Sequence, residues 1–290
     1  MRQFAHFVAI DWSGARGEHL AGIAIAYCPA GRAAPVLVPP PARYWSRLAV
    51  LAWLQAALPA DTLIGFDLGP SLPYVDRGAF FPGWDESPGD ARALWALVER
   101  ICAGEPHLGA NRFVDHPHAA RHFRRHGGRT GDLFGSGRGR LRATETAQQQ
   151  QGLAPCSNLN LVGAAQVGKS SLTGMRLFHR LGDALPLWPI DPLPASGSAM
   201  VEIYTSLAAR AGGRPPGRSK MRSLSAMNAV LAALGSAPIM GDDAPIGDHA
   251  SDALATAAWL RQAATQPALW SPPSLTRLIA RTEGWTFGVA

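Results

Sequence analysis

The sequence contains few cysteines and no long uncharged apolar run. Its three cysteines, Cys28, Cys102 and Cys156, lie far apart and form no C-x-x-C pair. This argues against a disulfide framework or a zinc knuckle and indicates reduced thiols in a cytoplasm. No uncharged apolar stretch reaches the roughly 18 residues that a membrane-spanning helix needs. We therefore expect a soluble, cytoplasmic protein without a membrane partner.

Acidic residues are also scarce relative to basic ones. The 290 residues include 21 Asp and Glu against 27 Lys and Arg, which gives a net charge of +6 and a pI near 9.8. Such a balance favours a polyanion such as nucleic acid as partner. High-GC codon usage, which enriches Arg, Ala, Gly and Pro together, is the alternative explanation. The apolar content of 47% can fill a sizeable core.

The first quarter of the chain has a readable order of elements. Short apolar runs bounded by turn residues predict strands, and a near-helical spacing of Leu and Ala that stops at Pro59 predicts a helix. The predicted strands cover 5–11, 20–28, 35–38 and 62–67, and the helix covers 43–58. Three strands, a helix and a strand ending in Asp form the start of a ribonuclease H-like fold. We expect one α/β domain over 1–290, a mixed sheet flanked by helices.

The order of elements is harder to read between the fourth strand and residue 199. We interpret 70–199 as a long insertion between core strands, with one clear helix following Asp90. Further elements are predicted beyond the insertion: a strand over 199–205, a loop over 213–219, and helices over 220–234 and 249–263. The tail, 270–290, is predicted to be irregular chain anchored by Trp285 and Phe287.

Three aspartates mark a candidate metal site. Asp11 and Asp67 each end an apolar run, and Asp252 stands in the first turn of an Ala-rich helix. Parallel strands release such side chains at their carboxyl ends, where α/β sheets bind ligands. Clustered carboxylates repel one another unless a cation lies between them, and oxygen ligands select Mg²⁺ or Mn²⁺. We expect Asp11 to bridge two ions and Asp67 to join it from the neighbouring strand.

Three further polar residues belong to, or lie near, this predicted site. His249 shares a helix face with Asp252 because the two are three residues apart. Asp248 is expected mainly as an N-cap. Glu202 lies within an apolar strand, where a buried Glu needs a partner, and we interpret it as a site residue or as a salt-bridged core acid.

Several segments resemble the DUF429 family of predicted ribonuclease H-like proteins. They read VAIDWSGA at 8–15, IGFDLG at 64–69, VGKSSLTGMRLFHRL at 167–181 followed by WP, VEIYT at 201–205 and DHASDALATAAWL at 248–260. The last segment is also similar to Holliday-junction resolvases of the same superfamily. The resemblance implies a ribonuclease H-like fold and, as metal ligands, Asp11, Asp67, His249 and Asp252.

A Walker A-like pattern is a rival signal. Residues 163–170, GAAQVGKS, fit the P-loop spacing, in which Lys169 would contact phosphate oxygens and Ser170 a Mg²⁺ ion. The segment 158–162 is a candidate preceding strand. No clean apolar strand ending in Asp follows, so a structural turn or a contact with a nucleic-acid phosphate is the alternative.

A basic stretch, 112–142, contains eight Arg and four His. Its arginines could bind phosphates, and three phenylalanines could stack on bases. The alternative is a solvated basic loop. His118, His122 and His126 would share a face on a continuous helix and could bind zinc, although neighbouring arginines oppose this. The predicted nucleic-acid contacts are Arg121, Arg124, Arg125, Arg138, Arg140 and Lys169, and the predicted stacking residues are Phe113, Phe123 and Phe134.

The sequence therefore predicts a metal-dependent nuclease or phosphodiesterase of ribonuclease H-like type that acts on DNA or RNA. Its expected catalytic carboxylates are Asp11, Asp67, Glu202 and Asp252, and its expected cofactor is Mg²⁺ or Mn²⁺. Two other classes stay open: a P-loop nucleotide-binding protein and a non-catalytic nucleic-acid-binding module. The sequence does not predict an oligomeric state.

Overall fold

A computed structural model describes residues 2–163, 166–215 and 220–290. The strands are β1 His6–Asp11, β2 Ala24–Pro29, β3 Val36–Leu37, β4 Thr62–Asp67, β5 Leu187–Trp188 and β6 Ala199–Glu202. The helices are α1 Arg47–Ala56, α2 Ala91–Cys102, α3 Asn111–Asp115, α4 Pro117–Ala120, α5 Ala143–Gln150, α6 Val167–Leu181, α7 Thr205–Ala211, α8 Leu224–Ala233, α9 Asp248–Ala263 and α10 Arg277–Thr282. Short 3₁₀ turns cover Pro106–Leu108, Gly182–Ala184 and Pro267–Trp270.

The strands form one mixed sheet in the order β3-β2-β1-β4-β6-β5. The first three strands in the chain pair antiparallel, whereas β4 joins β1 in parallel and β6 joins β4 in parallel. The edge strand β5 is also parallel to its neighbour β6. The α/β class and the mixed sheet flanked by helices are thus confirmed.

Both faces of the central strands are buried. Along β1, Val8 and Ile10 pack into a core that includes residues of α1, α2 and α6. The intervening Phe7 and Ala9 pack into a second core, built largely from α8, α9 and the C-terminal segment. Because successive side chains of a strand alternate between faces, each central strand contributes to both cores.

Helix α9 covers the second face of the sheet and contacts β1 and β2. It is buried along most of its length, and Ala, Leu and Trp make up more than half of its residues. Its run of alanines, including Ala253, Ala257 and Ala258, brings the helix backbone close to the strands. Cys28 of β2 donates a hydrogen bond from Sγ to the Ala257 carbonyl at 3.4 Å. This close packing fixes the first turn of α9 above the end of β1.

Several predicted boundaries are wrong. The predicted strand over 20–28 begins only at Ala24, since Leu20 pairs with Trp45 in an isolated bridge. The predicted strand over 199–205 ends at Glu202, and Thr205 already starts α7. The tail is not wholly irregular, because it contains α10, although Trp285 and Phe287 are fully buried anchors as expected.

Helices α1 and α8 are shorter than predicted for a common reason. Each begins after a serine that caps it: Ser46 accepts from the Ala49 N–H and Ser223 from the Ala226 N–H. Part of the predicted loop over 213–219 lies outside the described residues. No helix in the described part of the chain has both the length and the apolar character needed to cross a membrane.

Candidate functional site

Asp11 and Asp67 lie side by side at the carboxyl ends of the two central strands. They are register partners in the parallel β1–β4 pair, so their side chains leave the sheet on the same face. Adjacent strands are about 4.8 Å apart, which places two carboxylates within strong mutual repulsion. Asp11 is 7% exposed, and Asp67 keeps some exposed surface through a neighbouring cavity. The structure therefore places these two aspartates next to each other, as predicted.

The first turn of α9 brings His249 and Asp252 to the same place. His249 Nδ1 lies 2.9 Å from Asp11 Oδ2. This hydrogen bond and the negative charge of Asp11 raise the pKa of His249, which favours its protonated form. Asp248 is not the N-cap: Gly247 holds that position, and Asp248 is the first helical residue, 3.4 Å from Arg222.

Asp67 has two acidic neighbours, Asp11 beside it in the sheet and Asp252 from the first turn of α9. Burial raises the pKa of Asp67 well above its ordinary value, and the negative charges of Asp11 and Asp252 raise it further. The Lys220 ammonium and a hydrogen bond from the Thr205 backbone act in the opposite direction. Acids from β1, β4 and α9 therefore form one cluster, which we call the acid cluster.

Lys220 supplies a positive charge to the acid cluster. Its Nζ contacts Asp252 Oδ2 in a salt bridge, with the Lys side chain 41% exposed and the Asp side chain 7% exposed. Burial alone would lower the pKa of Lys220, but the hydrogen bond and charge of Asp252 outweigh burial and raise it. Burial also raises the pKa of Asp252, against the opposing effect of Lys220.

The carboxylate oxygens of the acid cluster are suitable ligands for a hard divalent cation. In the structure, two of these carboxylates are paired with basic side chains, those of His249 and Lys220. Asp11, Asp67 and Asp252 offer carboxylate oxygens, the ligands that Mg²⁺ and Mn²⁺ prefer. In the part of the chain that the structure describes, no three His, Cys, Asp or Glu side chains are grouped to hold a metal ion as they stand. His249 takes one oxygen of Asp11, and Lys220 takes one of Asp252.

Glu202 lies apart from the acid cluster. It pairs in register with Phe66, the residue before Asp67, so the pleat directs its side chain to the opposite face of the sheet. Arg142 donates to both of its carboxylate oxygens, at 2.9 and 2.6 Å. Burial raises the pKa of Glu202, and the charge of Arg142 opposes that rise. This is the geometry of a salt-bridged core acid rather than of a fourth cluster member.

Arg142 is the centre of this second network. The residue is 1% exposed and also pairs with Glu145 at 2.5 Å. Thr286 completes the network by donating its hydroxyl to Glu202 Oε1 at 2.8 Å. The buried arginine ties α5 and the C-terminal segment to β6. Sequence reasoning missed this role, because it counted Arg142 only as one member of a basic stretch.

A cavity of about 390 Å³ lies at the strand ends. Both networks reach it, since its lining includes Asp67, His249 and Glu202. Trp12 and Ser170 form part of the remaining wall. Through this cavity, water-sized molecules can reach Asp67 at the carboxyl end of β4.

The loop after β1 is held against the first turn of α6. The Gly14 N–H donates to Ser170 Oγ at 3.1 Å, and Trp12 Nε1 donates to Thr173 Oγ1 at 3.0 Å. A Cβ on Gly14 would lie 2.4 Å from the Ser170 nitrogen and 2.5 Å from the Lys169 carbonyl carbon. Only glycine allows this contact, which fixes the chain immediately after Asp11.

The Walker A-like segment has a different local structure from a P-loop. The segment 158–162 is not a sheet strand, since Asn160 forms only an isolated bridge with Arg124. Ser170 accepts the Gly14 N–H, and Lys169 Nζ lies 2.5 Å from His126 Nε2. Residues 164 and 165 of the pattern lie outside the described residues. Among the rest, 167–170 serve as the docking turn of α6.

The three histidines spaced four residues apart do not share a helix face. Helix α4 stops at Ala120, so the continuous helix that a zinc site requires is absent from the described residues. His118 stacks on Trp84, and His122 is buried against Phe81. Burial, reinforced by the charges of nearby arginines, lowers the pKa of His122 to about 4.

The predicted nucleic-acid residues divide into exposed and buried ones. Arg121, Arg124 and Arg138 are exposed, although Arg121 pairs with Asp132. Arg125 pairs with Asp115 at 3.0 Å.

Arg140 is buried and donates to Asp76 and to backbone carbonyls, so the prediction that it contacts nucleic acid does not fit its position. The predicted base-stacking role is also wrong for three aromatic residues, which are at most 3% exposed: Phe113, Phe123 and Phe134. Their rings fill the core instead of facing a ligand.

Lys220 is the site residue that sequence reasoning missed. The signal was present in the composition, because only two of the 27 basic residues are lysines, Lys169 and Lys220. In a chain that otherwise uses arginine, each lysine stands out. Lys169 contacts His126, and Lys220 pairs with Asp252. Each contact joins residues that are far apart in sequence, and no local pattern predicts it.

Comparisons with family models, with curated proteins and with solved structures give no match to this chain.

Proposed function

We propose that the protein is a metal-dependent nuclease or phosphodiesterase of ribonuclease H-like type acting on DNA or RNA. One observation carries the proposal: Asp11 and Asp67 are register partners at the carboxyl ends of the central parallel strands, and the first turn of α9, which carries Asp252, is held against them by the 2.9 Å contact between His249 and Asp11. Acids gathered at this edge of an α/β sheet lie where such folds bind their ligands.

The topology supports the ribonuclease H-like part of the proposal. Three antiparallel strands are followed by a helix and by a parallel strand that ends in Asp, as the order of elements in that fold requires. The resemblance of the 8–15 and 248–260 segments to the DUF429 family points in the same direction. Both segments contribute side chains to the acid cluster.

The residues that would hold Mg²⁺ or Mn²⁺ are Asp11, Asp67 and Asp252, with His249 beside them. When bound, such ions activate water and stabilise the leaving oxygen of a phosphodiester. His249 orients the Asp11 carboxylate and holds a proton next to it. Asp67 needs neighbouring positive charge to stay ionised at neutral pH, since burial and its acidic neighbours favour its protonated form.

A cleavage screen tests the proposal. Single strands, RNA–DNA hybrids, junctions and flaps are incubated with the protein in Mg²⁺, in Mn²⁺ or in EDTA. We expect cleavage only with metal, and a loss of at least about 100-fold in Asp11→Asn and in Asp67→Asn, the order seen when a group that stabilises a transition state is removed. Asp85→Asn is the matched control, because Asp85 is exposed and outside the cavity.

Two outcomes count against the nuclease. Equal cleavage by the wild type and by Asp11→Asn would mean that the acid cluster is not the reacting site. Binding of these substrates without metal-dependent cleavage in either form would identify a non-catalytic nucleic-acid-binding module.

A further inference from the structure

A second cavity lies on the other side of the α6 docking turn. It has a volume of about 400 Å³ and is lined by the loop after β1, by the chain around Asn111 and by the start of α6. This volume lies within the range of small-ligand sites. We call it the basic pocket, because five cations line it: Arg16, Arg47, Arg125, Arg129 and Lys169.

The positive charge of the basic pocket is not balanced within it. Its acids are Glu105 and Asp115, so the five cations leave a net charge of 5 − 2 = +3 with histidines neutral. Glu105 is already used at the start of α3, where it accepts the backbone N–H groups of Asn111 and Arg112. Asp115 is shared by Arg125 and Arg129, at 3.0 and 3.9 Å.

Three of the five cations have no carboxylate partner within the described residues. Arg47 is 2% exposed, and its guanidinium donates only to backbone carbonyls, those of Ser13, Ala15 and His107. Burial, with the charge of Arg176, lowers the pKa of Arg47 to about 10, which leaves it charged at neutral pH. A buried charge of this kind normally has an ionic partner.

The other two cations, Lys169 and Arg16, contact no carboxylate within the described residues. Lys169 Nζ contacts His126 Nε2 and lies 3.2 Å from Gln166 Oε1. Arg16 reaches Asn111 Oδ1 at 3.4 Å. Both side chains can turn to an anion without breaking an ion pair.

Two further features of the basic pocket indicate the kind of ligand that it fits. Arg125, which lines the pocket, has a buried Nε without a hydrogen-bond partner within the described residues. Leu161, Leu172 and Val114 give the same pocket an apolar wall. An anionic group joined to a ring with flat apolar faces matches this combination, and a nucleotide has both parts.

We propose that the basic pocket binds the phosphate of one nucleotide of a nucleic-acid strand, with Lys169 and Arg16 on the phosphate oxygens and the sugar or base against the apolar wall. The lining of the pocket includes Gly14 and Thr173, which also join the β1 loop to α6, and Gly14 is three residues after Asp11. The inference rests on the proposed function, since the nucleotide would belong to the strand that reaches the acid cluster.

The experiment measures binding without cleavage. A fluorescently labelled single-stranded oligonucleotide is titrated with Asp11→Asn protein in EDTA, and anisotropy is recorded at several salt concentrations. The same background carries Lys169→Gln, Arg16→Gln or the control Arg281→Gln, which removes one exposed charge outside the pocket. AMP and pyrophosphate are added as competitors in a second arm.

We expect each pocket variant to lower the affinity and to reduce the slope of log K against log salt by about 0.7, the value for one phosphate contact on a single strand. Lys169→Arg should restore most of the affinity, whereas Arg281→Gln should match the parent. Equal affinities and slopes in all variants would overturn the proposal. AMP binding that depends on Lys169, with strand binding unaffected, would overturn the strand as the source of the nucleotide.

The binding experiment and the cleavage screen distinguish failure of the pocket proposal from failure of the nuclease proposal. Strand binding that depends on Lys169, without cleavage in the earlier screen, would refute the nuclease and keep the pocket. Metal-dependent cleavage with binding that ignores Lys169 and Arg16 would refute the pocket and keep the nuclease.

Discussion

Removal of the Lys220 ammonium should tighten the binding of Mn²⁺ to the acid cluster. Lys220 contacts Asp252 and lowers the pKa of Asp67, so it supplies part of the positive charge that these carboxylates require. A divalent ion at the same carboxylates has to compete with this salt bridge and is repelled by the ammonium. Lys220→Met keeps a side chain of similar length and removes both effects.

The size of the effect follows from distance and exposure. Two unit charges about 4 Å apart interact by about 4 kcal/mol at an effective dielectric constant of about 20. The Lys220 side chain is 41% exposed, so solvent screening reduces this energy substantially. We take a net gain of about 1.4 kcal/mol, which corresponds to a tenfold lower dissociation constant for Mn²⁺.

Isothermal titration of the apo protein with Mn²⁺ at neutral pH measures this constant directly. The melting temperature with and without Mn²⁺ gives a second readout, because a ligand that binds the folded state stabilises it by mass action. Arg281→Met removes a positive charge from an exposed position of α10 and should leave the affinity unchanged. Asp252→Asn should weaken binding in both backgrounds.

An unchanged or weaker affinity in Lys220→Met would refute the reasoning. Unchanged affinity would mean that Lys220 does not compete for the carboxylates. Weaker affinity would mean that the ammonium positions Asp252 for the ion instead of occupying its place.

Three further predictions concern stability. Arg142→Met leaves the buried Glu202 without its ion partner and should lower the free energy of unfolding, measured by urea denaturation, by about 3–5 kcal/mol. A loss below about 1 kcal/mol would contradict the stabilising role of this buried network. Gly14→Ala forces a Cβ against the α6 backbone and should cost about 1–3 kcal/mol, seen as a lower melting temperature; an unchanged temperature would show that the loop yields freely. His122 has a folded pKa near 4, below its unfolded value of about 6.5, so the folded state should lose stability as pH falls from about 6.5 to 4, by about 2–3 kcal/mol. His122→Phe should flatten that pH dependence, and an identical slope in both proteins would contradict the assignment.

Elements with a strong local signal were predictable. The β4 strand over Thr62–Asp67 was predicted at its observed bounds, since an apolar run between turn residues leaves little choice of boundary. Helix α9 was predicted to within one residue at its start, because its many Ala and Leu residues have high helix propensity. Residues 199–205 were less predictable, because VEIYT favours a strand locally while the backbone turns into α7 after Ile203.

Some residues of the candidate site were likewise predictable from local sequence, and others were not. The acids at the ends of β1 and β4 were recognisable from sequence, because the carboxyl ends of parallel strands meet at one sheet edge whatever their separation along the chain. Glu202 was grouped with them, but the register of β6 turns its side chain to the other face and delivers it to Arg142. A register shift of one residue reverses a side chain's face. Met200 and Val201 are apolar and pack into opposite cores, so the pattern along β6 did not show which face Glu202 takes.

The amino-acid sequence by itself determined the α/β class, the strands that carry Asp11 and Asp67 and the excess of positive charge. Those properties depend on periodicity and composition, which act over a few residues. Only the tertiary structure decided that Lys220 pairs with Asp252, that Arg47 is buried with no carboxylate partner among the described residues and that the Walker A-like turn docks against Gly14. Such contacts join segments up to 156 residues apart, and packing of the whole chain selects them.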